Sequence, residues 1–154
     1  MNRFRLAVDQ ERCWGCKACE AACKQENPAP FGVKRIRVLE EGPRRVGDRW
    51  EFRFTVARCL HCDDPACAAA CPEGAIAQRS DGVVVLDEER CTGCRACEEA
   101  CPYEAVDFDP HRNVAVKCNL CHHRLDAGLE PACAGSVCLA RCIRLEGPGV
   151  PPDR

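Results

Sequence analysis

The chain has 154 residues, a formal charge of −2 and 17 cysteines. That length suits one domain or two small fused lobes, and the nearly balanced charge gives no sign of a nucleic-acid binder. Five Phe, two Trp, one Tyr and one Met leave a thin core of ordinary side chains, so whatever the cysteines hold is expected to fill and crosslink the interior.

In chain order, residues 3–8 alternate apolar and polar, with Phe4, Leu6 and Val8 on one side, and predict a strand. The start of the chain lacks the apolar stretch of a secretory signal and a twin-arginine pair. No apolar run approaches the ~20 residues of a membrane span. The expectation is a cytoplasmic chain with no direct membrane insertion. Next comes a first cysteine group, Cys13-x2-Cys16-x2-Cys19-x3-Cys23, with a short helix predicted over 17–25 and a breaker at Asn27-Pro28-Ala29-Pro30. Residues 33–40 and 50–57 alternate again. They flank a Gly42-Pro43 to Gly47-Asp48 turn region and predict a hairpin.

A second group follows, Cys59-x2-Cys62-x4-Cys67-x3-Cys71-Pro72. An Asp81-Gly82 turn then leads into a short buried strand at 83–86. The third group is Cys91-x2-Cys94-x2-Cys97-x3-Cys101-Pro102, with a short helix predicted over 95–100. The fourth is Cys118-x2-Cys121-x11-Cys133-x4-Cys138, with Cys142 four residues on. The tail, 147–154, is rich in Pro and Gly and is expected to be loose or docked on a partner.

Dense cysteine has three usual uses: disulfides, zinc and iron–sulfur clusters. Disulfides go with secretion, and an odd count of 17 forbids full pairing. Structural zinc needs two paired knuckles, not three cysteines in seven residues plus a fourth. The first and third groups instead match the bacterial ferredoxin run, in which three close cysteines hold one cluster and the fourth ligates its neighbour. The x2 spacings wrap a loop around one cubane, and the fourth cysteine lies where the chain leads away. Four such groups imply four [4Fe–4S] clusters.

Chain order suggests nested pairing. Cys59, Cys62, Cys67 and Cys101 would hold one cluster, and Cys91, Cys94, Cys97 and Cys71 the next. Cys118, Cys121, Cys133 and Cys23 would hold a third. Cys13, Cys16, Cys19 and one late cysteine would hold the fourth. Aligning Cys71-Pro72-Glu73-Gly74-Ala75-Ile76, Cys101-Pro102-Tyr103-Glu104-Ala105-Val106 and Cys138-Leu139-Ala140-Arg141-Cys142-Ile143 puts Cys138 at the ligand position and Cys142 at the alanine position. Cys138 is favoured, with Cys142 as the alternative. A third register would use Cys138 and Cys142 and release Cys133. It fits less well, because Pro131-Ala132-Cys133 repeats Pro65-Ala66-Cys67.

The expected fold is α+β. Within a single polyferredoxin unit over 1–154, two ferredoxin-like lobes form a pseudo-two-fold repeat, one inserted in the other. Residues 58–110 form the inserted lobe, and 1–57 plus 111–154 the second. Short strands and helices surround the clusters.

The stretches Cys59-Leu60-His61-Cys62-Asp63-Asp64-Pro65-Ala66-Cys67 and Cys118-Asn119-Leu120-Cys121 through Pro131-Ala132-Cys133 carry a resemblance. The chain is similar to the four-cluster electron-transfer subunits that accompany molybdenum and tungsten oxidoreductases, from about Asp9 to Ile143. The group includes the β subunits of the dimethyl-sulfoxide-reductase family and the small ferredoxin subunits of hydrogenase, carbon-monoxide-dehydrogenase and aldehyde-oxidoreductase systems. The ending Cys133-x4-Cys138-x3-Cys142 departs from the usual cysteine–proline pair. It resembles the small subunits of cytoplasmic tungsten aldehyde oxidoreductases. The resemblance implies the nested pairing, a non-catalytic role, a catalytic molybdenum- or tungsten-cofactor subunit as partner, and a flavin, ferredoxin or quinone module beyond it.

A freely diffusing polyferredoxin is the main alternative, and a structural zinc protein a weaker one. Self-association, with end clusters of neighbouring chains aligned, is a further arrangement the sequence permits. No G-x-G-x-x-G loop, Walker loop or radical-SAM cysteine order occurs. His61, His111, His122 and His123 fit a proton relay or metal ligation less well than loop and surface positions. Trp14 is expected to shield the cluster beside it. Lys17, Arg95 and Arg124 are expected to be solvated, with electrostatic tuning of the clusters as the sharper reading.

Overall fold

The computed structural model describes residues 3–150. The 151–154 part of the expected loose tail lies outside the described residues. The chain folds as small α+β, with eight short strands paired into four two-stranded antiparallel sheets and four short helices among the described residues. Isolated two-stranded ribbons are marginal in water, so the sheets depend on what packs between them.

Strand β1 (Arg5–Val8) pairs with β8 (Ile143–Glu146), joining the two ends of the chain in the register Leu6↔Leu145 and Val8↔Ile143. The apolar side expected for this segment turns inward: Leu6 and Ile143 are both buried in one core. A 3-10 turn at Gln10–Arg12 then places Gln10 so that its side chain brackets Val56. Gln10 Oε1 accepts from the Val56 N–H (2.7 Å) and Nε2 donates to the Val56 carbonyl (3.2 Å).

Helix α1 (Ala18–Glu26) is alanine-rich and turns Cys19 and Cys23, one helical turn apart, onto its buried side. It stops at Asn27, whose N–H returns to the Cys23 carbonyl at 2.8 Å. Pro28 follows and cannot continue the helix.

Strands β2 (Ile36–Val46) and β3 (Arg49–Arg58) form the longest hairpin. The pair runs further than the alternation predicts, because the turn is only Gly47-Asp48. Gly47 supplies the positive φ (61°) that such a tight turn favours. Gly42-Pro43 is not part of the turn. It lies inside β2 at a bulge where the register shifts between Glu41 and Arg44, which is where a residue without an N–H can be tolerated. The outer half of the hairpin stands in solvent: Trp50 is 66% exposed, and Phe52, stacked on Phe54 at 6.4 Å, is 51% exposed.

The second half repeats a smaller unit. Helix α2 (Ala66–Ala69) leads into β4 (Ile76–Gln78), which pairs with β5 (Val84–Leu86) around the expected Asp81-Gly82 turn. Helix α3 (Ala96–Ala100) leads into β6 (Val106–Asp109), which pairs with β7 (Val114–Lys117). This hairpin bridges the expected lobe edge at 110/111 and carries Ala115 into the same core as Val106, Ile76 and Val84. Helix α4 (His122–Asp126) and a 3-10 turn at Gly135–Val137 complete the chain before β8.

Two cores result. One gathers Leu6, Ile36, Val38, Val56, Val83, Leu120 and Ile143, and the other Ile76, Val84, Val106 and Ala115. Val83 and Val84 are adjacent in sequence and nearly sealed from solvent, yet they serve different cores. Alternation along an extended segment accounts for this.

Candidate iron–sulfur centres

The cysteine loops repeat in conformation as well as spacing. In the first and third groups the second residue after the leading cysteine is a left-handed glycine, Gly15 (φ 75°) and Gly93 (φ 74°). The fourth is a left-handed cation, Lys17 (φ 59°) and Arg95 (φ 63°). In the second and fourth groups the leading sulfur accepts a backbone N–H from two residues on, His61 to Cys59 Sγ and Leu120 to Cys118 Sγ, both at 3.4 Å.

The fourth cysteines share a tighter motif. Ala75 N–H donates to Cys71 Sγ (3.3 Å), Ala105 N–H to Cys101 Sγ (3.4 Å) and Cys142 N–H to Cys138 Sγ (3.3 Å). In each loop the intervening residue is left-handed, at Gly74, Glu104 and Arg141, and a strand begins two residues later. Cys138 thus occupies the geometric place of Cys71 and Cys101, and Cys142 that of Ala75 and Ala105. The two sulfurs lie 3.4 Å apart.

Several thiols lie close enough to act on one another. Burial raises Cys23 to about 12, and the adjacent charges of Cys118 and Cys121 add to it. Burial also raises Cys133, followed by Cys118, Cys23 and Cys121. For Cys97, raised to about 11, burial comes first, and Cys91 and Cys71 stand beside it. For Cys62 and Cys67 burial is joined by Cys59 and Cys101. Cys19 rises to about 11 through burial, with Cys138 and Cys13 adjacent. Burial and the bond to Cys138 lift Cys142 to about 12. The hydrogen bonds that Cys138 receives from Cys142 and its neighbours outweigh burial and lower it.

Charges reach between groups as well: Cys97 feels Cys67, Cys118 feels Cys59, and Cys133 feels Cys19. Cys94 and Cys16 are the exposed thiols.

Packed thiols whose ionisation burial opposes suit a cationic cofactor that takes them as thiolates. A cavity lined by Cys13, Cys16, Cys19, Cys138 and Cys142, with Val38, Val56 and Ile143 as apolar walls, fits this reading. Among the described residues no three His, Cys, Asp or Glu converge closely enough for a single metal ion. A cubane spaces its four thiolates further apart, one on each iron.

The other residues singled out in the sequence divide. His111 is exposed, and His123 pairs with Glu26 at 2.7 Å. His122 is half-buried beside Asp126. His61 departs from the surface expectation. It is 4% exposed, its Nδ1 accepts the Val84 N–H at 3.0 Å, and burial lowers its pKa to about 3. Trp14 touches the cavity at Cys13 but is 61% exposed, so it covers one edge and does not seal the site. Arg95 lies over the Phe108 ring at 3.8 Å, Arg124 pairs with Glu26 at 3.1 Å, and Lys17 is half-exposed near Glu40.

Sequence reasoning did not single out Asn27, Arg58 or Lys117. Asn27 Nδ2 reaches Cys121 Sγ at 3.5 Å. Arg58 is half-buried with the Cys118, Cys133 and Cys59 charges around it. The one signal for Lys117 was a charge closing the apolar run Val114-Ala115-Val116 immediately before Cys118.

Residues 50–147 and, separately, 12–76 match two families that are both described as 4Fe-4S dicluster domains. A tetrathionate reductase subunit of Salmonella typhimurium is 42% identical over 136 residues, covering 88% of this chain and 54% of that protein. A putative dimethyl sulfoxide reductase iron-sulfur subunit of Halobacterium salinarum is 37% identical over 162 residues, covering 86% and 62%. The thiosulfate reductase electron transfer subunit PhsB of Salmonella typhi is 40% identical over 139 residues, covering 89% and 72%. The chain thus spans little more than half the length of the first relative and under two thirds of the second. Two dicluster matches spread over 12–147 account for all four cysteine groups, and the chain belongs to the 4Fe-4S dicluster family, carrying four [4Fe–4S] clusters.

Proposed function

We propose that this chain is a non-catalytic electron-transfer subunit. It passes single electrons between a catalytic subunit with a molybdenum or tungsten cofactor and a flavin, ferredoxin or quinone module. The observation that carries this is the pair of dicluster matches over 12–76 and 50–147, which take in all four cysteine groups, with Cys16 and Cys94 as the exposed thiols. A cubane held by four thiolates offers no open iron to a substrate, so the chemistry supplied is one-electron transfer. The protein contributes burial and N–H···S hydrogen bonds, and both tune the potential.

The ligand sets in this reading are Cys91, Cys94, Cys97 and Cys71; Cys59, Cys62, Cys67 and Cys101; Cys118, Cys121, Cys133 and Cys23; and Cys13, Cys16, Cys19 and Cys138. They fall in two lobes related by a pseudo-two-fold repeat, the inserted lobe being the expected 58–110 extended to the end of β7, because β6 and β7 pair across its edge. The alikeness of the first and third loops, and of the second and fourth, supports that division. The relatives, subunits of tetrathionate, dimethyl sulfoxide and thiosulfate reductases, favour a sulfur-compound reductase complex over a tungsten aldehyde oxidoreductase. A cytoplasmic location belongs to the same proposal, and cell fractionation tests it. Among the described residues no helix is long and apolar enough to cross a membrane.

Anaerobic purification of the tagged chain from its native host, with molybdenum, tungsten and flavin assayed in what co-purifies, tests the partner. A molybdenum- or tungsten-containing subunit is expected. A chain that always elutes alone with its iron intact supports the freely diffusing carrier instead.

A further inference from the structure

Lys117 closes β7 with 1% of its surface exposed, and it heads the largest fully buried side chains of the described residues. Its Nζ donates to the carbonyl oxygens of Val84 (2.5 Å) and Cys118 (2.8 Å). Among the described residues it makes no ion pair with a carboxylate. A buried ammonium is costly unless negative charge stands close by, and the negative groups around it are sulfurs. The two Nζ bonds place Lys117 between two cysteine loops: Cys118 belongs to one, and Val84 gives its N–H to His61, between Cys59 and Cys62, and lies in the core that Cys67 packs against. Cys59 and Cys118 are themselves neighbours across the same junction. Arg58 donates to the Leu6 carbonyl at 2.5 Å, and the Cys118, Cys133 and Cys59 charges act on it. Both cations act on His61, which accepts from Val84.

We propose that Lys117 is a buried counter-charge shared by the two middle clusters, those of Cys59, Cys62, Cys67, Cys101 and of Cys23, Cys118, Cys121, Cys133, and that it raises the reduction potential of both relative to the two terminal ones. The inference rests on the ligand sets proposed above. Reduction adds one electron to a centre that is already anionic, with no bond made or broken. A fixed cation in a poorly screened interior stabilises the reduced form more than the oxidised one. Lys117 acts by position alone and touches no substrate. Its effect is centred on the middle of the series, because both of its hydrogen bonds fall at that junction, one on Cys118 and one on Val84, whose N–H goes to His61 between Cys59 and Cys62.

The test is an anaerobic redox titration followed by EPR on the full chain with its clusters in place, comparing the wild type with Lys117→Met, Lys117→Arg and Arg58→Gln. Lys117→Met is expected to keep its iron and to lower two of the four midpoints by at least tenfold in the reduction equilibrium, 59 mV for one electron. Lys117→Arg, which restores the charge, is expected to return them toward the wild type. Four unchanged midpoints in iron-replete Lys117→Met overturn the proposal, as does an equal shift of all four. If Lys117→Met fails to retain iron, Arg58→Gln decides: lowered potentials at two clusters support the shared cationic junction, and none lowered overturns it. Failure of the ligand sets is a separate outcome, visible as fewer than four reducible centres in the wild type.

Discussion

The backbone N–H of Cys142 donates to Cys138 Sγ at 3.3 Å, in the bond that Ala75 gives Cys71 and Ala105 gives Cys101. A main-chain donor serves a ligand sulfur whatever side chain it carries. In the proposed ligand set the Cys142 thiol is therefore expected to be dispensable in a way that the Cys138 sulfur is not.

Cys138→Ala is expected to lower iron from about 16 to about 12 atoms per chain. Cys142→Ala is expected to keep all four clusters, since its N–H remains. Iron and sulfide assays on anaerobic preparations, with spin counting by EPR, check the pair. The reverse pattern makes Cys142 the ligand.

Two glycines with nearly the same φ separate backbone strain from steric contact. At Gly93 (φ +74°) a Cβ would come within 2.4 Å of the Asn113 carbonyl oxygen, whereas at Gly128 (φ +72°) nothing lies within 4 Å. Gly128→Ala is expected to cost only the left-handed penalty, roughly 1–2 kcal/mol. Gly93→Ala adds displacement of the Asn113 backbone and is expected to destabilise the Cys91 loop. Thermal denaturation under argon, with iron retained on heating, distinguishes the two.

Removing iron is expected to unfold the chain. Among the described residues, Cys19, Cys23, Cys133, Cys138 and Cys142 are five of the thirteen buried members of the larger core. Without the clusters these thiols face empty space, and the paired ribbons have little else to pack against. Far-UV circular dichroism during anaerobic chelation should show secondary structure lost in step with cluster absorbance, and recovered only when iron and sulfide are both returned.

Asp107 joins two hairpins. Its carboxylate accepts from the Lys34 N–H at 2.9 Å and pairs with Arg37 at 2.6 Å. Burial pushes this carboxyl up, but the hydrogen bonds from Lys34, Phe108 and Arg37 outweigh it and hold it below the usual range. Asp107→Asn keeps the shape and loses the charge, with an expected cost of about 1–2 kcal/mol. Chemical denaturation of the cluster-loaded protein measures it. Ile143→Ala, at a site 1% exposed between the chain ends, is expected to cost more, roughly 2–5 kcal/mol.

Much of the molecule was legible because cysteine spacing is a geometric code. The x2 and x3 steps gave the groups, and the alignment of Cys138 with Cys71 and Cys101 anticipated a hydrogen-bond motif found at all three. The β2–β3 hairpin was visible in its alternation, but its turn was placed too broadly, because Gly42-Pro43 resembles a turn signal and serves as a bulge. Strands β4, β6, β7 and β8 were not predicted. Each is three or four residues long, too short for periodicity to stand out, and each is set by the cysteine loop before it or the hairpin partner beside it. Lys117 was missed, and His61 placed at the surface, for another reason. Charge and polarity usually mark the surface, and only the assembled fold brings sulfurs and a carbonyl to a buried ammonium.

The pairing of β1 with β8 sets a calendar for synthesis. Arg5 waits for Glu146, so β1 has no partner until β8 has been made. With the proposed ligand sets, the two that end at Cys101 can close before the fourth cysteine group is written. The set completed by Cys133 comes later, and the one begun by Cys13 stays open until Cys138 arrives. In this reading the first of the four groups to be translated is the last to be metallated. That group would spend longest exposed to oxygen or to a wrong metal, and a cell making this protein has most reason to guard it.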